Sequence, residues 1–193
     1  MMKRIVIWGL LGLLPLAGAS AGNPKVVDQF SADQLMTVGD SIITTRIYVA
    51  RGNVRSETVM PGLPEPSVTI INGARKVVWV LMPGGMYLER SIDIKEDMSN
   101  AAWADPNLLE PVGKETIDGV ECEVFRVKAP DQDILYYVRA SDRIPVRMSS
   151  QTHNVRVDWK NVKVGPQPAN LFELPPGAKK FGLPGGFKIP GLQ

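Results

Sequence analysis

The segment VVWVLM at residues 77–82 constrains the fold most, because it is apolar on both faces of the strand that it predicts. Its side chains alternate between one face with Val77, Trp79 and Leu81 and another face with Val78, Val80 and Met82. An antiparallel strand with one face in water instead alternates apolar and polar residues. This segment therefore needs cover on both sides.

Short strand patterns bounded by turn residues recur along most of the chain. Gly52-Asn53 predicts the turn of a first hairpin, and Asn72-Gly73 predicts the turn of the next. One face of the first hairpin is predicted to carry Ile43, Thr45, Ile47 and Val49. In the second half, strands are predicted at residues 119–130, 133–140, 143–151 and 154–164. This regular spacing is typical of an all-β meander, sandwich or barrel.

Residues 93–104 interrupt the strand patterns. Ile94, Met98 and Ala101 recur at helical spacing, and Pro106 ends the run. The segment predicts one short helix.

Residues 1–21 have the pattern of a secretory signal peptide. Lys3 and Arg4 make a positive start, a short apolar run follows, and Ala19-Ser20-Ala21 is a small-residue cleavage site. We expect cleavage after Ala21, a folded domain at residues 22–180, and a flexible tail rich in Pro and Gly at residues 181–193. We find no second long apolar run, so we expect no stable membrane anchor.

The charge balance gives little reason to expect a nucleic-acid partner. The chain has 22 Lys and Arg against 20 Asp and Glu, and two of the basic residues belong to the predicted signal. The exported chain is therefore close to neutral, with charges of both signs interspersed along the strands. Because we find no basic patch, we expect no nucleic acid to bind.

Motifs that carry catalysis or metal binding are sparse. The chain has one histidine, His153, and one cysteine, Cys122, and we find no nucleophile elbow, zinc spacing or phosphate-binding loop. A lone cysteine in an apolar strand most often fills the core as a small hydrophobe, although a Cys122–His153 dyad or a reactive thiol is the alternative. The sequence predicts a protein without catalysis, cofactor or metal.

Three arrangements supply the missing cover for a strand that is apolar on both faces: a second sheet, a dimer, or a curled sheet that lines a cavity closed by the short helix. An apolar cavity favours an apolar ligand such as an acyl chain. Buried strand patterns are also common in ordinary cores, so periodicity alone leaves this open. The residues predicted to line such a cavity are Ile47, Val49, Val68, Ile70, Val77, Trp79, Leu81 and Tyr136.

Four segments, in this order, resemble the outer-membrane lipoprotein carrier superfamily and related secreted bacterial proteins. They are FSADQLM, IYVARGNVRSE, KVVWVLMPGGMYLE, and the late run from VGKETIDGVECEVFRV through RIPVRM to NVKVGPQPANLFELPPGAKK. The matching positions of the late run are Gly113, Glu115, Gly119, Cys122, Pro145, Arg147, Leu171, Phe172, Pro175 and Gly177.

This resemblance implies a mainly β fold: a strongly curved antiparallel sheet that forms an unclosed half-barrel under a short helical lid. It also implies periplasmic binding or carriage of a lipid, an acyl chain or a lipoprotein-like ligand, without catalysis. The carrier's long helix before its first strand has no counterpart between Ala21 and Phe30. Transfer of lipoproteins to an acceptor is therefore not implied.

Two other functions stay open. The protein is alternatively an envelope interaction module that docks a partner protein or lipoprotein on its open sheet, with the tail as a tether. A third hypothesis is an enzyme that uses the Cys122 thiol, which requires that thiol to be reactive in the folded state.

Overall fold

The computed structural model describes residues 27–60, 62, 65–92, 109–127, 133–150 and 152–181. Within these ranges, the strands are β1 (Gln29–Val38), β2 (Ser41–Ala50), β3 (Asn53–Val59), β4 (Ser67–Asn72), β5 (Val77–Met82), β6 (Met86–Ser91), β7 (Leu109–Ile117), β8 (Val120–Val127), β9 (Ile134–Arg139), β10 (Pro145–Ser150), β11 (Val155–Val164) and β12 (Lys179–Lys180). A short 3₁₀ helix spans Ala169–Phe172. The predicted signal, the predicted helix at 93–104 and all but the first residue of the predicted tail lie outside the described residues.

All of these strands belong to one sheet, in the order β12-β6-β5-β4-β3-β2-β1-β11-β10-β9-β8-β7. Two antiparallel meanders, β1–β6 and β7–β11, join where β1 pairs with β11. β12 adds to the edge of β6 in parallel. Among the described strands, β7 and β12 have one neighbour each, so the sheet is not closed into a barrel. This confirms the prediction of a mainly β protein built on one open, largely antiparallel sheet.

The strand register divides the side chains between two faces of the sheet. We call one side the Ile47 face; there Ile47 of β2, Ser56 of β3 and Thr69 of β4 are paired neighbours. We call the other side the Trp79 face; there Ile70, the residue after Thr69, is paired with Trp79 of β5. As predicted, one face of β2 carries Ile43, Thr45, Ile47 and Val49.

The main core lies on the Ile47 face. Its buried side chains, drawn from β1, β2, β7–β11 and the turn before β10, are Phe30, Ala32, Ile47, Val49, Leu109, Val127, Ile134, Tyr136, Val138, Ile144, Met148, Val155, Val157 and Trp159. The rings of Tyr136 and Trp159 meet edge to face, with their centroids 6.3 Å apart. A single cluster collected from so many neighbouring strands is expected on the inner side of a curled sheet, because side chains converge there.

The Trp79 face carries two smaller core clusters with charged side chains between them. The cluster on the β8 side consists of Ile117, Cys122, Val124 and Tyr137. Between the clusters, the Asp158 carboxylate of β11 is 3% exposed and accepts hydrogen bonds from Arg147 at 2.6 Å and from Arg156 at 2.5 Å. Two guanidinium partners compensate for the removal of this charge from water.

The other cluster of the Trp79 face is covered by residues 169–180, from the 3₁₀ helix to β12, which we call the C-terminal segment. Phe172 of the 3₁₀ helix is 4% exposed and packs in one cluster with Ile70 and Trp79. The Asn72 Nδ2 donates to the Phe172 carbonyl at 3.3 Å, and the Arg55 guanidinium donates to the Leu171 carbonyl at 3.3 Å. The apolar contacts and these two hydrogen bonds together hold the segment against β3–β5.

A second set of polar contacts fixes the end of the same segment beside β6. The Trp79 Nε1 donates to the Glu89 carboxylate at 2.9 Å, and the Lys180 ammonium donates to the other carboxylate oxygen at 2.6 Å. Glu89 therefore links the buried indole of β5 to β12.

Most strand predictions are confirmed, and the exceptions lie where alternation is weak. The hairpins β2–β3 and β4–β5 and the strands β8–β11 occupy the predicted segments. Apolar alternation is weak over β1, because polar residues interrupt its apolar face. β7 contains Pro111 and Gly113 and is exposed at every position between Leu109 and Ile117, as befits an edge strand with little hydrophobic pattern.

We expect Phe172→Ala to lower the free energy of unfolding by about 3 kcal/mol, because it empties the contact that covers Trp79 and Ile70. Chemical denaturation followed by tryptophan fluorescence measures this loss. Val164→Ala is the control, since Val164 is largely exposed and its truncation should change little. A Phe172→Ala protein as stable as the control would show that the segment does not hold this face.

The Glu89 contacts also predict a pH dependence of stability. Hydrogen bonds from Lys180 and Trp79 lower the pKa of Glu89 below its ordinary value of 4.5. A depressed pKa contributes stability that is complete above the unfolded-state pKa and is lost as pH falls through the folded-state pKa. We therefore expect Glu89→Gln to be less stable than wild type at pH 7, with a difference that shrinks as pH falls below about 4.5.

Urea titrations at pH 7, 5 and 3.5 measure this difference, with the exposed Glu65→Gln as the matched control. A Glu89→Gln deficit that stays constant over this range would contradict the assignment of the pH dependence to Glu89.

Candidate functional site

The eight residues predicted to line a cavity do not lie on one surface. Ile47, Val49 and Tyr136 belong to the main core of the Ile47 face. The other five, on β4 and β5, lie on the Trp79 face: Val68, Ile70, Val77, Trp79 and Leu81. A single lining cannot contain both groups, because the sheet separates them. Ligand binding by either group stays a prediction.

The five residues on the Trp79 face are covered by the protein itself. Ile70 and Trp79 are buried, and Val68, Val77 and Leu81 pack around them half-buried. The cover comes from the C-terminal segment, through Leu171, Phe172 and Leu174. One side of the doubly apolar strand β5 is thereby accounted for as a core.

The opposite side of β4–β6 is also apolar, and we call it the Val80 patch. It consists of Ile71, Val78, Val80, Met82, Met86 and Leu88, which the strand register places together on the Ile47 face. Val78 is buried and the others are half-buried. None of the three core clusters found among the described residues includes any of them. The predicted lining contains Val77, Trp79 and Leu81, whereas the patch contains the alternate residues of the same strand, one position away.

A row of polar side chains crosses the Ile47 face beside the Val80 patch, and we call it the polar row. It runs through directly paired positions of β11, β1, β2, β3 and β4: Trp159, Gln34, Thr45, Thr58 and Ser67. The hydroxyls of Thr45 and Thr58 are 2.9 Å apart and hydrogen-bonded. Small buried hydroxyl residues continue in the next row of the same face, at Ser56 and Thr69.

Trp159 ends the polar row with an unsatisfied donor. Its side chain belongs to the main core and the residue is 6% exposed. Among the described residues, its Nε1 is the buried side-chain polar atom left without a hydrogen-bond partner. Nearly all buried polar groups in folded proteins have a hydrogen-bond partner, so the unpaired Trp159 Nε1 is unusual.

Burial favours the neutral forms of two ionisable side chains, Tyr136 and Cys122. Burial raises the pKa of the Tyr136 hydroxyl, which lies against Trp159. Burial likewise raises the pKa of the Cys122 thiol, which is 0% exposed and lies on the Trp79 face. The prediction that Cys122 fills the core as a small hydrophobe is confirmed. His153 lies in the turn between β10 and β11, where its backbone N–H donates to the Ser150 hydroxyl.

Metal-binding clusters and membrane-spanning helices are both missing from the described ranges. No group of three or more His, Cys, Asp or Glu side chains there is arranged to hold a metal ion. No helix in the same ranges has the length and hydropathy needed to span a membrane.

Solved structures share the fold at low sequence identity. An uncharacterized conserved protein from Thermus thermophilus superposes with a TM-score of 0.60 at 15% identity, over 80% of this chain and 90% of that one. PNGF-II gives a TM-score of 0.50 at 10% identity, over 79% of this chain and 30% of that one, so this chain spans less than a third of PNGF-II. The Pseudomonas aeruginosa MucA/MucB complex gives 0.44 at 14% identity, over 73% and 53%.

These likenesses concern the fold alone, and the similarity to the MucA/MucB complex is too weak to support a conclusion. No protein-family model matches the chain, and no curated protein matches it. The resemblance to the lipoprotein carrier superfamily therefore stays a prediction.

We expect Cys122 to resist iodoacetamide in the folded protein and to react once the chain is unfolded in urea, because a buried thiol with a raised pKa is neither accessible nor ionised. Mass spectrometry of the alkylated protein measures the outcome. Cys122→Ser gives the background. Alkylation in native buffer at the rate of a free thiol would reopen the hypothesis of a Cys122 enzyme.

Proposed function

We propose that this protein is a non-catalytic binding or carrier protein for a lipid-like ligand, whose acyl chain lies on the Val80 patch. The export signal predicted from the sequence supports a periplasmic location for this activity. The ligand's class is a lipid, an acyl chain or an acylated protein.

The observation that carries the proposal is the unequal cover of β4–β6. On the Trp79 face, the C-terminal segment buries the apolar side chains. On the Ile47 face, the Val80 patch stays outside every core cluster of the described residues, and five of its six side chains are half-buried. A large apolar surface outside the core clusters of the described residues is a common feature of sites for hydrophobic ligands.

The energetics favour an acyl chain as the occupant. Transfer of a CH₂ group from water to an apolar surface contributes about 0.8 kcal/mol, so a 16-carbon chain contributes on the order of 10 kcal/mol before ordering costs. The flexible methionines Met82 and Met86, paired across β5 and β6, suit a surface that adapts to such a chain.

We expect Val80→Glu to weaken binding of diphenylhexatriene, an oxygen-free fluorescent hydrocarbon, by at least about tenfold, because it places a charge in the centre of the patch. Val112→Glu is the matched control, since Val112 is exposed on the edge strand β7, at the other end of the sheet. Fluorescence titration gives the dissociation constants, and circular dichroism confirms the β fold of each variant. Unchanged binding by a folded Val80→Glu protein would remove the patch from the site.

A second candidate, a protein-interaction module, is favoured by exposed apolar side chains at one end of the sheet. Ile42 of β2 and Val59 of β3 are 66% and 60% exposed, and the register places both on the Trp79 face. Exposed apolar side chains of this kind suit docking of a partner protein of the cell envelope. Two measurements separate the candidates. The interaction module requires that wild type does not bind diphenylhexatriene and that Ile42→Glu abolishes a specific partner interaction.

A further inference from the structure

We propose that the polar row is the recognition site for an acyl carbonyl oxygen, an ester or amide, and that the Trp159 Nε1 donates the hydrogen bond. The inference rests on the proposed function and deepens it. It adds a polar anchor for the head of a ligand whose hydrocarbon chain extends across the sheet toward the Val80 patch.

The unmade hydrogen bond of Trp159 is the first support. Its Nε1 is buried without a partner in the described part of the chain, and an indole N–H acts as a donor and never as an acceptor. Trp79 shows the ordinary arrangement, since its Nε1 donates to Glu89 at 2.9 Å. The Trp159 indole therefore calls for an acceptor oxygen that the described protein does not supply, and a ligand carbonyl provides one.

The position of Trp159 in the sheet is the second support. The register continues from Trp159 through Gln34 and Thr45 to Thr58 and Ser67, so further amide and hydroxyl donors lie along the same line. With neighbouring strands about 4.8 Å apart, the row is about 19 Å long. At its far end it reaches β4, where the Val80 patch begins.

The surroundings of the row make an amphipathic ligand the best match. On one side Val157, Met36 and Ile43 form a parallel apolar row, and on the other side Ala32 and Ile47 do so. A polar line between apolar strips fits a molecule with one polar group on a hydrocarbon chain. A purely apolar ligand would leave the Trp159 donor unpaired.

The charge of the row selects a neutral carbonyl over a carboxylate. None of its five members is cationic, and its neighbour Tyr136 stays protonated because burial raises its pKa. A carboxylate buried without a cation beside it costs much free energy, whereas a neutral ester or amide oxygen needs only a hydrogen-bond donor. Lipid esters and the amide-linked or ester-linked chains of acylated proteins share this chemistry.

The test compares three fluorescent probes on the exported chain: methyl parinarate, parinaric acid and diphenylhexatriene. Trp159→Phe keeps an aromatic ring and removes the N–H. We expect it to weaken methyl parinarate by about tenfold, the loss of one buried hydrogen bond, and diphenylhexatriene by less than about twofold. Trp79→Phe is the control for the ratio of the two affinities. It removes a satisfied N–H on the other face, so both affinities should change by the same factor.

The outcomes separate the inference from the proposed function. If wild type binds neither methyl parinarate nor diphenylhexatriene, the inference and the proposed function are both wrong. If wild type binds both and Trp159→Phe changes them by the same factor, the carbonyl site is overturned and the apolar site stands. If the tenfold loss appears for methyl parinarate and not for parinaric acid, the anchor recognises ester carbonyls. An equal loss for both overturns the selection of a neutral carbonyl, because a carboxylate would then be held equally well.

A spectroscopic measurement covers the case of a Trp159→Phe protein that does not fold. Beyond residue 21 the chain has three tryptophans, Trp79, Trp103 and Trp159, and Trp79→Phe and Trp103→Phe assign the indole N–H signals in a ¹⁵N spectrum of wild type. We expect the Trp159 signal to move downfield with methyl palmitate and to respond differently to hexadecane. The same displacement with both ligands, or none with either, overturns the inference.

Discussion

The pairing of β1 with β11 is the contact on which the rest of the sheet depends. It joins two meanders that would otherwise be separate, and its register determines which side chains of β11 point into the main core. The register shifts between Ser31 and Asp33, and the Asn161 amide donates to the Asp33 carboxylate at 2.8 Å beside this bulge. A shift of the β1–β11 register by one residue would move Trp159 to the opposite face and disrupt both the main core and the polar row.

The doubly apolar strand β5 shows how the protein uses its two faces differently. Side chains on the Trp79 face are held under the C-terminal segment by apolar contacts and by hydrogen bonds from Asn72 and Arg55. Those on the Ile47 face form the Val80 patch next to a line of hydroxyl and amide groups. Around β5, the Trp79 face therefore contributes stability, and the Ile47 face supplies the surface from which we infer ligand binding.

Much of the fold could be predicted from local pattern, whereas much of the site could not. The alternation of Ile43, Thr45, Ile47 and Val49 placed them correctly on one face, because side-chain direction in a strand follows from the period of two. The same rule could not say which face of β5 lies beneath Phe172, so Trp79 and Leu81 were assigned to a lining and lie in a covered cluster. Trp159 gave no sequence signal beyond its strand, since an unmade hydrogen bond is a property of the packed state.

The sequence by itself determined that residues 77–82 form a strand in need of cover on both sides, that turn residues divide the chain into short antiparallel strands, and that Cys122 lies among apolar neighbours. These are local properties of neighbouring side chains. Only the tertiary structure decided which partner covers which face. The contact between Asn72 and the Phe172 carbonyl joins residues 100 positions apart, and the line from Trp159 to Ser67 exists only when five strands are in register. Such contacts depend on the free energy of the whole sheet, which no short segment encodes.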